Sequence, residues 1–214
     1  DFPSAMQRMR RVQAHISRAD SARRLCKAGV DVYFGDAHFA GPRAVAVDGK
    51  TLHFKKALIA TGARAMTPSI PGLAEAGYLT NANVFNLTEC PRRLLVIGGG
   101  PLGCELAQAF CRLGSHVIIA QDDPMFLPKE ERDAAQILSD ALARDGVEIH
   151  LNTAVAAVRM EGGKKLVDLV SDDSKISVSV DEILVGIGRA PNVEGMDLEA
   201  AFVRYDSEAG IVVN

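Results

Sequence analysis

The feature that most constrains this sequence is a glycine-rich turn that lies between an apolar run and a helix-like segment. Its spaced glycines are Gly98, Gly100 and Gly103, the G-x-G-x-x-G spacing of a dinucleotide-binding turn. Gly98 permits a sharp turn off the strand, Gly100 lets backbone approach a pyrophosphate, and Gly103 lets the helix pack closely on the strand. Pro101 suits the first helical position, and the free N–H groups of that helix end favour a phosphate pair.

That spacing alone is weak evidence, because glycine-rich turns also occur as purely structural tight turns. Here an apolar strand at 94–97 precedes the turn, and a second apolar strand at 116–120 follows the helix. This order fits within the ~30 residues that a nucleotide-binding βαβ unit needs. We therefore predict that a dinucleotide lies over residues 98–103, with Gly99 and Leu102 among the contacting residues.

The composition is that of an ordinary soluble globular protein, with 48% hydrophobic and 24% charged residues in 214. A net charge of −3 gives no reason to expect nucleic acid or a membrane surface as a partner. The four cysteines show neither C-x-x-C nor metal-ligand spacing, so we expect no metal site and a reducing, cytoplasmic setting. Cys104 and Cys111 share a face of the predicted helix and are expected to be small apolar core residues.

Residues 4–28 are predicted to be helical, with a break and restart at Asp20-Ser21. Their apolar residues form a stripe, whereas other faces carry arginines: Arg8, Arg10, Arg11, Arg18, Arg23 and Arg24. These arginines could form an anion site, although a solvated helix face is the more ordinary interpretation.

Short strands are predicted next, at 30–34, 44–47, 51–54 and 57–60, with a hairpin turn at Asp48-Gly49. The run at 57–60 is continuously apolar, so we expect both of its faces to be buried. A short helix is plausible at 83–87. Beyond the glycine turn we predict helices at 101–114 and 129–145 and strands at 116–120, 147–151, 154–160, 166–170, 176–180 and 182–187.

Three motifs stand in a fixed order: Ala60-Thr-Gly62, the glycine turn followed by Glu105, and Gly188-Arg-x-Pro-Asn192. In that order and spacing they resemble the flavoprotein pyridine nucleotide-disulfide oxidoreductases, which include dihydrolipoamide dehydrogenase, glutathione reductase and mercuric reductase. Residues 74–81 and 103–110 are most similar to the mercuric reductase-like branch. The resemblance covers essentially the whole chain.

The resemblance implies an α/β fold. A Rossmann-like nicotinamide-binding domain, three-layered with a mostly parallel sheet plus a β-meander, would be flanked by parts of an FAD-binding domain. By the same resemblance, residues 1–89 would be a partial FAD-binding domain, 90–191 the NAD(P)-binding domain, and 192–214 a return segment toward the FAD-binding domain.

The resemblance also implies roles for single residues. Ala37 and the turn Thr61-Gly62 would contact the flavin nucleotide through their backbone. Glu105 would lie near the nicotinamide, and Val155 and Gly188 would also contact the nicotinamide cofactor.

Other parts of the family pattern are absent from this sequence. They are the N-terminal glycine motif that binds the flavin pyrophosphate, the redox C-x-x-x-x-C pair, and the C-terminal dimerisation domain with its acid/base histidine. None of the five histidines matches that histidine: His15, His38, His53, His116 and His150. We therefore expect a piece of a longer, homodimeric enzyme, with no catalytic residue of its own and FAD held only by the parent.

The choice between NAD and NADP depends on the residue after the second strand, where an acid favours NAD and arginines favour NADP. That position is Gln121, which follows Gly98 by 23 residues (121 − 98). Its amide can hydrogen-bond a hydroxyl, whereas Asp122 and Asp123 would repel a 2′-phosphate. NAD is therefore favoured, unless 122–124 is only a turn that points away from the ligand.

Three functions are open at this point. The first is NAD(P)H binding for hydride transfer to flavin, within an FAD-dependent disulfide oxidoreductase. The second is a non-catalytic nucleotide-binding module. The third is a flavin NADH oxidase or reductase without a redox disulfide, which a C-x-x-x-x-C pair upstream of this sequence would exclude.

Overall fold

The computed structural model describes residues 1–172 and 174–213, and the chain divides into two compact units. Unit 1 contains Asp1–Gln7 and Ala65–Gly188, and unit 2 contains Arg8–Arg64 and Arg189–Asn214. Each unit has its own buried apolar core.

The longer helices agree with the sequence pattern, including the predicted break near residue 20, whereas the short helix Leu73–Ala76 was not predicted. The helices are α1 (Phe2–Ala19), α2 (Ala22–Lys27), α3 (Leu73–Ala76), α4 (Pro101–Arg112) and α5 (Arg132–Asp145), with 3-10 turns at Val84–Asn86 and Leu198–Ala201. Ser21 begins α2, because its hydroxyl oxygen accepts a hydrogen bond from Arg24 N. Gly146 ends α5 in a left-handed conformation, with φ of 94°. In the described parts of the chain, no helix has the length and apolarity needed to cross a membrane.

Fourteen strands are present in the described residues. They are β1 (His38–Gly41), β2 (Ala44–Val47), β3 (Lys50–His53), β4 (Ala63–Ala65), β5 (Arg93–Ile97), β6 (His116–Ala120), β7 (Glu148–His150), β8 (Ala154–Glu161), β9 (Lys164–Val170), β10 (Lys175–Val180), β11 (Glu182–Val185), β12 (Arg189–Pro191), β13 (Tyr205–Asp206) and β14 (Gly210–Ile211).

Unit 1 is built on a four-stranded parallel sheet with strand order β11-β5-β6-β7. Its central strand β5 is apolar at four successive positions, and all four side chains are buried. Such a continuous apolar run is typical of a parallel strand that is covered on both faces. Leu79 extends the sheet by a parallel bridge to Leu184.

The two faces of this sheet are covered by different elements. One face shares a core with the antiparallel meander β8-β9-β10, through residues such as Leu95, Ile118 and Val167. The alternate strand residues face the other side, where α4 lies close enough that a Cβ on Gly103 would be 3.3 Å from Val96 Cγ1. α5 packs beside α4. This is the predicted three-layer α/β arrangement with a parallel sheet plus a β-meander, and the fold class is confirmed.

Unit 2 contains the antiparallel sheet β1-β2-β3 and a small core around Phe39, Val193 and Leu198. The predicted hairpin between β2 and β3 is confirmed. Asp48 and Gly49 both have positive φ, 47° and 71°, as a tight two-residue turn requires. β4 pairs with β12, and β13 pairs with β14.

Two predicted strands of unit 2 are wrong. Residues 30–34 form no strand, and the first strand is instead His38–Gly41. Residues 57–60 form no strand either, and the expectation that both faces are buried fails because Leu58 is 91% exposed. An apolar run needs neighbours on both sides to be buried, and no strand pairs with 57–60 among the described residues.

Candidate functional site

The carboxyl ends of the parallel strands form the candidate site. From β5 the chain continues to β6 and β7 on one side, and it later returns to β11 on the other side. In an open α/β sheet, ligands bind in the crevice where the strand order reverses in this way. Glycine turns follow both strands at that point, and Gly186 N donates a hydrogen bond to Ile97 O at 2.8 Å.

Gly98 is required by the geometry of this edge. It has φ of 97°, which disfavours a side chain, and its N–H donates to Ala120 O at 2.8 Å. A Cβ at this position would lie 2.8 Å from Gly186 O. The predicted role of Gly98 in the sharp turn off the strand is therefore confirmed.

Gly103 and Gly100 differ in whether the fold requires a glycine at that position. A Cβ on Gly103 would lie 2.2 Å from Gly98 O, so only glycine permits this close approach of α4. A Cβ on Gly100 would meet only Gly186 O, at an ordinary 3.7 Å, and its φ of −72° suits any residue. The fold therefore explains the glycine at 103 and does not explain the one at 100.

The amino end of α4 points its backbone donors at this edge. Gly100 is the N-cap, Pro101 occupies the first turn, and no side chain caps the helix end. The first intrahelical bond runs from Cys104 N to Gly100 O at 3.0 Å. The first-turn N–H groups, including that of half-buried Leu102, have no intrahelical acceptor and favour an anion.

Gln121 contacts the glycine turn directly. Its Oε1 accepts a hydrogen bond from Gly99 N at 2.6 Å. Its backbone is held by β7 and the following loop, since Gln121 N donates to His150 O and Thr153 N donates to Gln121 O. Nε2 has no partner among the described residues, so the amide offers a donor to a ligand. Sequence reasoning placed Gln121 at the site but missed this bond, which no spacing rule signals.

The loop after Gln121 is ordered by its own side chains. Asp123 Oδ1 accepts from Met125 N at 2.8 Å, which makes a local turn. The guanidinium of Arg132 donates to three backbone carbonyls, those of Phe126, Leu127 and Glu130. The sequence did not indicate that Arg132 holds this loop. Because its guanidinium is bonded to these carbonyls, Arg132 is not free to bind a phosphate.

The remaining predicted residues of unit 1 are Glu105, Gly188 and Val155. Glu105 is exposed on the second turn of α4, where it lines a cavity of about 360 Å³ between α4 and α5. Gly188 follows β11 with φ of 128°. Val155 lies on β8 and packs against the core between the meander and the sheet. The structure thus brings Gly98–Gly103 and Gln121 together and gives Val155 a packing role.

The predicted flavin-side residues lie in unit 2. Ala37 is exposed just before β1, and Thr61 and Gly62 are exposed in the turn before β4. Thr61 Oγ1 donates to Asn192 O at 2.8 Å, and Asn192 Nδ2 donates back to Thr61 O at 3.0 Å. Two of the three sequence motifs are therefore joined within this unit, and Arg64 adds a bond to Pro191 O at 3.2 Å.

The cysteine beside the glycine turn has an unreactive thiol. Cys104 is buried, and its Sγ donates to Gly99 O at 3.4 Å. Burial, followed by the charge of Glu105, raises the pKa of Cys104 to about 11. The thiol therefore stays protonated near neutral pH, and its predicted role as a small core residue is confirmed. Cys111 is only half-buried.

Comparison with known proteins gives the family. Residues 3–214 match the family model described as Pyridine nucleotide-disulphide oxidoreductase. The mercuric reductase of Bacillus cereus is 32% identical over 186 residues, which cover 87% of this chain and 30% of that protein. The glutathione reductase of Burkholderia cepacia is 33% identical, over 94% of this chain and 44% of that protein.

A solved structure extends the likeness to the whole chain. The Cu(II) complex of the HOCl-induced flavoprotein disulfide reductase RclA from Escherichia coli has a TM-score of 0.90 and 30% identity. The match covers 100% of this chain and 49% of the RclA chain. The chain therefore spans about half or less of the length of these relatives. The resemblance that the three motifs predicted is confirmed.

Proposed function

We propose that this chain, which belongs to the pyridine nucleotide-disulphide oxidoreductase family, binds NADH or NADPH across Gly98–Gly103. In the longer protein, FAD would accept hydride from this cofactor, and an oxidoreductase activity follows. The observation that carries the proposal is Gly100, whose missing side chain is unnecessary for the fold but leaves the backbone open to a pyrophosphate.

Different residues of the site would bind different parts of the cofactor. The N–H groups at the start of α4 would hold the pyrophosphate, and the α4 dipole would add to that attraction. Gln121 would donate from Nε2 to the adenine-side ribose while Oε1 stays on Gly99 N. Glu105, Val155 and Gly188 are proposed as further contacts of the nicotinamide cofactor.

We assign the flanking segments to the FAD-binding side. Residues 90–191 would form the NAD(P)-binding domain, and 1–89 and 192–214 would belong to the FAD-binding domain. Ala37 and the turn Thr61-Gly62 would contact the flavin nucleotide. Purified chain is expected to be colourless, because other parts of the flavin site are missing from this sequence. A yellow preparation with stoichiometric FAD would contradict the assignment of an incomplete site.

NADH is the favoured cofactor. A 2′-phosphate needs a free cation near Gln121, and the guanidinium of Arg132 is held by three carbonyls. Asp122 is exposed and would repel the phosphate, although Asp123 is partly engaged by Met125 N.

Calorimetric titration with NADH and NADPH tests the proposal. We expect saturable binding of both, with NADH the tighter ligand. Gln121→Glu should raise the preference for NADH, because a carboxylate can keep the bond to Gly99 N and also accept from a ribose hydroxyl. The double substitution Gln121→Arg, Asp123→Arg should shift the preference toward NADPH. An absence of binding at millimolar concentrations of either cofactor would refute the assignment.

A further inference from the structure

One face of α1 carries two arginines and a histidine around an open cavity. Arg8, Arg11, Val12 and His15 line a space of about 370 Å³ in unit 2. Their spacing of three, four and seven residues from the first places them on one side of a helix. All four side chains are exposed, so the cavity is a shallow, solvent-open space on the surface of the helix.

The charges of Arg8 and Arg11 are not paired with an acidic side chain in the described part of the chain. Neither Arg8 nor Arg11 has a hydrogen-bond or ion-pair partner among residues 1–172 and 174–213. α1 carries four arginines and no acid over 2–19, so it contributes +4, and the remaining residues sum to −7 (20 − 27). α1 therefore has a net positive charge, whereas the rest of the chain has a net negative charge.

We infer that this face binds a small, multiply charged oxyanion of the phosphate class, such as a pyrophosphate or a nucleoside phosphate. Two guanidinium groups one turn apart can each present a fork of donors to phosphate oxygens, which an ammonium group cannot. The imidazole of His15 adds a donor one turn further, and Val12, which is 46% exposed, gives an apolar floor. This site is separate from the dinucleotide site proposed at Gly98–Gly103, which lies in unit 1.

A solvated helix face would behave differently from such a site. Diffuse attraction depends on net charge and would be weakened equally by the loss of any two arginines of the segment. A built site depends on Arg8 and Arg11 in particular. The segment offers a matched control, because Arg18 and Arg23 are exposed, lie outside the cavity and carry the same charge.

The experiment is a titration of the chain with inorganic pyrophosphate at low salt, followed by the His15 ring resonances in NMR spectra. The His15 signal reports on α1, whereas NADH binding reports on the glycine turn. Variants R8Q/R11Q and R18Q/R23Q are compared with the unsubstituted chain, with helicity checked by circular dichroism. NADH binding by the three proteins is measured in parallel, so that failure of the dinucleotide site is recognised separately.

We expect a saturable His15 shift. R8Q/R11Q should weaken it about tenfold or more through the loss of charge-assisted hydrogen bonds, and R18Q/R23Q less than about threefold. Equal weakening in both variants, or no shift at millimolar pyrophosphate, overturns the proposal.

The same phosphate chemistry occurs on lipid headgroups, so sedimentation with phosphatidylserine vesicles is a second experiment. Vesicle binding without a His15 response to pyrophosphate also overturns the small-molecule site.

Discussion

The apolar run at 94–97 has a hydrogen-bonded strand on each side, whereas the apolar run at 57–60 has none among the described residues. Leu95 is 0% exposed in the first run, and Leu58 is 91% exposed in the second. Both runs have the composition of a buried parallel strand. Such a run is therefore buried by its sheet partners, and apolar sequence alone does not bury it.

The turns that follow the two runs differ in the same way. At 98–103 a Cβ on Gly98 would clash with Gly186 O, just after β11, and a Cβ on Gly103 would clash with Gly98 O. Gly62 has φ of 68°, and a Cβ there would meet nothing within 4 Å. The first turn is fixed by packing, and the second by its local conformation and by the bonds between Thr61 and Asn192.

The largest difference in stability between the two runs is expected when one leucine in each run is replaced by alanine. Leu95→Ala should lower the free energy of unfolding of unit 1 by about 3 kcal/mol, because it leaves a cavity in a closely packed core. Leu58→Ala should change the stability of unit 2 by less than about 0.5 kcal/mol, since the side chain is exposed. Urea unfolding of both variants measures the difference. Equal losses would show that residues 57–60 are buried after all.

Replacing a glycine by alanine should destabilise the two turns to different extents. Gly103→Ala should cost about 3 kcal/mol, because α4 must move away from Gly98 O. Gly62→Ala should cost about 1 kcal/mol, since only the positive φ opposes it. Thermal unfolding of the two variants provides the test, and a Gly103→Ala protein as stable as the original would contradict the close approach of α4.

The acid dependence of stability should also differ between the units. In unit 1 the Arg159 guanidinium, with Ser177, holds the pKa of Asp168 below its usual range. That stabilisation is present above the unfolded carboxyl pKa of about 3.9 and is lost as pH falls through the lower folded value. Asp168→Asn should therefore be less stable than the original at pH 7, and the gap should narrow below about pH 4.

The matched control for this prediction is the exposed Arg64–Glu194 pair of unit 2, with side chains 49% and 67% exposed. Glu194→Gln should change stability by at most about 1 kcal/mol at any pH, because water screens the pair. Unfolding curves recorded from pH 3 to 8 compare the two variants. A gap for Asp168→Asn that does not vary with pH would count against the charge argument.

The smallest contrast concerns thiol reactivity. Cys104 in unit 1 is buried with its pKa raised to about 11, whereas Cys26 in unit 2 is exposed. A thiol reagent at pH 8 should label Cys26 quickly and Cys104 only on unfolding, because the thiolate is the reactive form. Mass spectrometry of the labelled peptides distinguishes them. Rapid labelling of Cys104 in the folded protein would indicate that α4 opens readily.

Unit 1 could be predicted well because its signals are local. The alternation of apolar residues, the glycine turn and the helix-ending Gly146 are all read within a few residues, and strands such as His116–Ala120 match the expected bounds. Unit 2 was harder to predict, because the burial of residues 57–60 depends on whether another strand pairs with them, and that is not a local property of the sequence.

Contacts between side chains and distant backbone could not be predicted. The bond from Gly99 N to Gln121 Oε1 joins residues 22 apart, and it depends on how β6 ends beside the glycine turn. Arg132 lies in the helix predicted at 129–145, and its guanidinium also donates to carbonyls of the preceding loop. Both contacts are consequences of tertiary packing, which periodicity and spacing do not encode.

NADH binding by the Gly100→Ala variant, measured by calorimetry together with thermal unfolding, tests whether the cofactor lies over the glycine turn. The fold tolerates a Cβ at this position, since it would meet only Gly186 O at 3.7 Å, so the unfolding temperature should not fall. If the cofactor lies over the turn, that methyl group occupies its path and the affinity should drop about tenfold or more. Unchanged NADH affinity in a stably folded variant would contradict the placement of the cofactor across Gly98–Gly103.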